Sequence, residues 1–96
     1  MNIELKKFGT TLTSRDGGKE AYNALQSSLI NFKEDEELVV DFKGVDTFSP
    51  SWGDEFLANL FNKYKNRLVL INTTNPSVIA TLEMLSDIKD IKFNLQ

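Results

Sequence analysis

Two short stretches hold the side chains that could do chemistry: Ser49-Pro50-Ser51-Trp52-Gly53-Asp54-Glu55 and Ser14-Arg15-Asp16-Gly17-Gly18. The first sets two hydroxyls just ahead of two carboxylates, at what reads as a helix start. Free N–H groups at such a start attract anions, and a serine there could act as a nucleophile or accept a phosphate. The second sets a guanidinium beside glycine-rich backbone, which could hold a carboxylate or a phosphate. Ser14, Arg15 and Gly17 are therefore candidate contacts for a ligand or anion, a nucleotide phosphate included. Neither stretch is a phosphate-binding loop of known spacing, since G-x-x-x-x-G-K-[ST] and G-x-G-x-x-G are both absent.

What surrounds these residues restricts the chemistry. The chain has no histidine and no cysteine, which removes the commonest general base and any disulfide or zinc–thiolate site. Asp54 and Glu55 are neighbours, about 100° apart around an α-helix, so they do not face each other as an acid/base pair. No serine has an evident activator. We expect no catalytic residue, no metal and no cofactor, and a protein that is not an enzyme. The acidic run Glu34-Asp35-Glu36-Glu37 reads as a solvated connector, because consecutive carboxylates diverge. A net charge of -3 gives no basic face for nucleic acid. No apolar stretch approaches the roughly 20 residues of a membrane span, and the start MNIELKKFG lacks the apolar core of a secretory signal. The expectation is one cytoplasmic domain over 1–96.

The elements that must position these residues follow from periodicity. Asn2 to Phe8 alternates and predicts an edge strand; Thr10 to Thr13 could add a second. Ser14 to Gly18 reads as a turn, and a helix is predicted from Lys19 with Ala21, Leu25, Leu29 and Phe32 on one face. Leu38 to Phe42 predicts a buried strand. A helix follows from Trp52, with Phe56, Leu60 and Tyr64 striping its core face. Arg67 to Asn72 is the clearest strand, Pro76 to Ile88 a third helix, and Ile91 to Leu95 a last edge strand. Strands alternating with helices predict an α/β fold: a small mixed sheet of four or five strands with three helices mainly on one face. The two later helices start alike, Ser49-Pro50-Ser51 and Asn75-Pro76-Ser77. A capping side chain before a proline explains both, and Ser51 with Asp54 also has capping-box spacing.

The segment Val39-Val40-Asp41-Phe42-Lys43-Gly44-Val45-Asp46-Thr47-Phe48-Ser49-Pro50-Ser51 resembles the core signature of STAS domains, including those of anti-sigma-factor antagonists. More closely, the chain resembles a bacterial STAS-like family of unknown function. The shared pattern is a V-x-D-F strand, here Val39, Asp41 and Phe42, followed by Ser49, Ser51, Trp52, Gly53, Asp54 and Glu55. The resemblance implies a STAS-like sandwich acting as a regulatory protein-interaction module. It implies a protein partner such as a histidine-kinase-type ATPase, met through Ser49, Ser51, Trp52, Asp54 and Glu55. In the antagonists a serine at this helix start is phosphorylated. Aligned without gaps, Pro50 occupies that position, which leaves Ser49 and Ser51 as the hydroxyls a kinase could use.

Overall fold

The apolar runs around Val40 and Leu70 form the middle of the sheet in the computed structural model, which describes residues 1–96. In chain order the elements are β1 (Asn2–Glu4), β2 (Thr11–Leu12), α1 (Arg15–Gln26), β3 (Leu38–Asp41) and β4 (Thr47–Phe48). There follow α2 over 50–64, β5 (Leu68–Ile71), α3 (Pro76–Lys89) and β6 (Asn94–Leu95). The main sheet has the order β1-β3-β5-β6, and β2 pairs with β4 in a small second sheet. The expected α/β fold, a small sheet with three helices, is what the chain forms. Every ladder in it is parallel, where a mixed sheet was expected.

The strand order explains why the helices share a face. Each strand of the main sheet is followed by its next neighbour, always stepping the same way, and right-handed crossovers then stack all the helices on one side. In register, Ile3, Val40 and Leu70 point to that side and are fully buried. Asp41 and Ile71, one residue on, point to the opposite side and are half-buried. Between a main strand and its helix the chain turns through a second short rung, β2 or β4. Those rungs lie under the helix starts and set their positions.

Three boundaries differ from the pattern in the sequence. β1 stops at Glu4, and Leu5–Phe8 is a 3-10 turn. The turn keeps Leu5 buried and swings the Phe8 ring to within 6.2 Å of Trp52 and 5.7 Å of Phe56. At the other end only Asn94–Leu95 is strand, because Asp90 adopts a left-handed cap and the Ile91 N–H bonds back to Ser86. Ile91 is thereby folded into the core rather than extended.

The third difference is the start of α1. The helix begins at Arg15, capped by Ser14, so Gly17 and Gly18 are helical and not a turn. Gly18 is required by a close approach: a Cβ on it would lie 2.5 Å from the Trp52 carbonyl oxygen. The missing side chain lets α1 cross α2 at near backbone contact, and the two helix starts meet there.

The acidic connector is pinned rather than loose. Arg67 donates to the carbonyl of Lys33 at 2.8 Å and stacks over the rings of Phe32 and Tyr64. Arg67→Ala should lower stability by about 1–2 kcal/mol, the sum of one charge-assisted hydrogen bond and a half-buried cation–π stack. Urea unfolding checks this, and a change below about 0.3 kcal/mol would mean that the stack is worth nothing.

Candidate functional site

The site begins with a cap. Ser49 has an extended backbone and its hydroxyl accepts from the Trp52 N–H at 3.3 Å, while Pro50 takes the first helical position. The same hydroxyl donates to the carbonyl of Thr13 at 2.7 Å, tying the start of α2 to the start of α1. Ser49 is therefore engaged on both sides. Ser51 is half-buried and its hydroxyl has no partner in the chain. The capping-box pairing of Ser51 with Asp54 does not form, because Ser49 is the cap and Asp54 is engaged elsewhere.

The echo at Asn75-Pro76-Ser77 has a structural use beyond capping. Asn75 accepts from the N–H groups of Ser77 and Val78, at 2.7 and 3.3 Å. Ser77 then accepts from the Phe48 N–H at 3.0 Å, and buried Thr81 donates to the Phe48 carbonyl. The first turn of α3 thus holds the residue that precedes Ser49. Nothing local in the sequence announces this use of Ser77 and Thr81, since each partner is about 30 residues away.

Asp54 and Glu55 open a π-helical turn, Asp54–Ala58, inside α2. A π turn has more residues per revolution than an α turn, so adjacent side chains diverge less. Both carboxylates reach the same nitrogen: Arg15 Nη1 lies 2.9 Å from Asp54 Oδ2 and 2.9 Å from Glu55 Oε1. The other oxygen of Asp54 takes Lys89 Nζ at 3.0 Å, from the last turn of α3. One cluster therefore joins all three helices. Lys89 is the member that sequence reasoning missed, because the fold alone brings it there.

Solvation decides what this cluster is for. The Arg15 and Lys89 side chains are 52% and 45% exposed, the two carboxylates 24% and 21%. Ion pairs so open to water add little to stability. They do leave four charged groups held in fixed positions on an accessible face. Two positive and two negative charges balance within it.

The hydrogen bond from Arg15, with a weaker one from Lys89, holds the Asp54 carboxyl below its ordinary value of 3.8. A depressed carboxyl stabilises the folded state above the unfolded value and loses that contribution as pH falls through the folded one. Arg15→Ala should therefore raise the Asp54 midpoint in an NMR pH titration. The stability gap between variant and parent should be present above about pH 4 and close below it. An unmoved midpoint would mean that the pair is not populated in solution.

Trp52 stands apart from its neighbours in the motif. It is 3% exposed and packs against Phe8, Phe48 and Phe56, with ring centroids at 6.2, 5.9 and 4.8 Å. The periodicity that put it on the core stripe is correct. Its indole supports the candidate surface from below, and a partner landing on Asp54 and Glu55 would not touch its ring faces. Ser14 caps α1 by accepting from the Gly17 N–H at 2.9 Å, and Arg15 projects to the cluster just described.

A one-sided parallel α/β coil, with a serine-capped second helix following a V-x-D-F strand, is of the STAS-like class. The chain belongs to the STAS-like domain family of unknown function (DUF4325), whose family model matches residues 25–78. The matched region runs from α1 into the first turn of α3 and includes the whole strand–serine–helix segment. No curated protein and no solved structure matches the chain. STAS-like domains are in general non-enzymatic regulatory modules that interact with protein partners. No helix here is long and apolar enough to cross a membrane.

Proposed function

We propose that the chain is a regulatory module that docks a protein partner on the face where Ser51, Asp54, Glu55, Arg15 and Lys89 come together. The observation behind this reading is the ion-paired cluster itself. It gathers charged side chains from three helices onto one accessible face, where they do little for stability. A partner of the histidine-kinase-type ATPase kind would fit the STAS-like resemblance of this segment.

Of the two serines, Ser51 has the free hydroxyl, whereas Ser49 is spent on the cap and on Thr13. A phosphate on Ser51 would add nearly two negative charges one turn ahead of Asp54 and Glu55. It would compete for Arg15 and turn the balanced face net negative. Switching by charge is thus built from a residue next to the position that proline blocks.

The test is co-purification of the tagged chain with products of neighbouring genes, repeated with Ser51→Glu and with Asp54→Lys. Both variants should lose a partner that the parent retains, by about tenfold or more in affinity. A partner bound equally well by parent and both variants would remove this face from consideration.

A further inference from the structure

Beside the charged face lies a groove of about 410 Å³ between β2 and α1. Trp52 and Leu12 form its floor, and Thr11, Thr13, Ser14 and Glu20 its rim. The Trp52 indole N–H donates to no acceptor in the chain, and because no buried side-chain nitrogen or oxygen lacks a partner, that N–H opens onto the groove although the residue as a whole is only 3% exposed. The residue over this N–H is Gly17, where a Cβ would lie 3.4 Å from both Nε1 and Cδ1. The missing side chain is a window onto an unused donor.

The groove offers a second set of unused groups. In the β2–β4 ladder Thr47 N–H bonds to Thr10 and Ser49 N–H to Leu12, so Thr10 and Leu12 carry the pairing. By alternation the N–H and carbonyl of Thr11 face away from β4, on the groove side. A free strand edge beside an apolar floor is the geometry that accepts an added strand. The one charged side chain lining the groove is Glu20, which favours a cationic or neutral occupant.

We propose that this groove binds an extended, basic peptide segment of a protein partner. The peptide pairs with the outer edge of β2 at Thr11 and presents a backbone carbonyl through the Gly17 window to Trp52 Nε1. Glu20 receives a lysine or arginine side chain. The inference rests on the protein-interaction reading and deepens it: the charged face and the groove adjoin at Ser14–Arg15, so one partner can span both.

The chain has a single tryptophan, so its indole N–H gives a single NMR peak that reports on the groove directly. A random heptapeptide display library is panned against the whole chain, and the strongest sequence is synthesised and titrated. The expected result is a basic, β-prone peptide that shifts the Trp52 indole proton downfield. Thr11→Pro, which removes the outward N–H, and Gly17→Ala, which closes the window, should each weaken it about tenfold. Glu20→Lys should do the same to basic peptides, and far-UV circular dichroism verifies that each variant is folded. Failure to select any peptide, an indole peak that stays put at saturation, or equal binding by folded Thr11→Pro and Gly17→Ala overturns the groove. A natural partner lost on Asp54→Lys yet bound normally by Thr11→Pro and Gly17→Ala also overturns the groove, while leaving the docking role of the charged face intact.

Discussion

Gly18→Ala is expected to cost about 3–4 kcal/mol, although alanine is the better helix former by about 1 kcal/mol. The propensity gain is local, whereas the added Cβ would sit 2.5 Å from the Trp52 carbonyl and 3.0 Å from its Cα. Those are backbone atoms of the neighbouring helix, which cannot rotate away as a side chain can. The helices must separate, and the contact that brings Ser14 and Arg15 to Ser49 and Asp54 opens with them. Gly17 is the control. Its nearest obstacle is the Ser14 hydroxyl at 2.7 Å, a side-chain atom that can turn aside; the cap it gives the Gly17 N–H is weakened by doing so, which the helix-propensity gain of alanine, about 1 kcal/mol, offsets. Adjacent glycines in one helix should thus give a large loss at one position and a near-neutral change at the other. Thermal unfolding followed by circular dichroism measures both; equal midpoints would refute the close crossing.

Trp52→Ala should destabilise the fold by about 3–5 kcal/mol, the usual range for emptying a large aromatic site. The ring touches three others, so the cavity is walled by Phe8, Phe48 and Phe56 and cannot collapse without moving the start of α2. At roughly 4–8 °C per kcal/mol for a domain of this size, the midpoint should fall by about 12 °C or more. Trp52→Phe retains most of the packing and removes the indole N–H, so it should cost much less stability. A small loss for Trp52→Ala would place the indole outside the core.

What could be read from the sequence was whatever neighbours along the chain decide. The Asn75-Pro76 cap, the strand around Val40 and the core stripe Trp52, Phe56, Leu60 and Tyr64 all depend on spacing within a few turns. The V-x-D-F strand and the serine-containing helix start also sufficed to place the family. The errors arose where distant residues decide. Gly17-Gly18 carried every local mark of a turn, and only the approach of α2 makes a helix with glycine at that position the better solution. The alternation of Ile3 and Leu5 fits a strand, and Ile3 is in one, yet Leu5 is buried in the turn that carries Phe8 to Trp52. The pairing of Arg15 with Asp54 and Glu55 spans some 40 positions. Adjacent carboxylates lie about 100° apart on an α-helix, and nothing local in the sequence announces the π turn at Asp54–Ala58.

That π turn has an evolutionary reading. An i→i+5 turn holds one more residue than the i→i+4 turn it replaces, so a π segment is what a helix becomes when one codon is inserted and both ends are anchored. Here the ends are anchored, by the Ser49 cap on one side and the buried Leu60 and Tyr64 on the other. Deleting one residue within 54–58 would return the segment to a regular helix while keeping those ends near their places. If the residue deleted were Asp54 or Glu55, Arg15 would also lose one of its two carboxylate partners. The charged face could then have been gained, or lost, by a single in-frame event that leaves the fold in place.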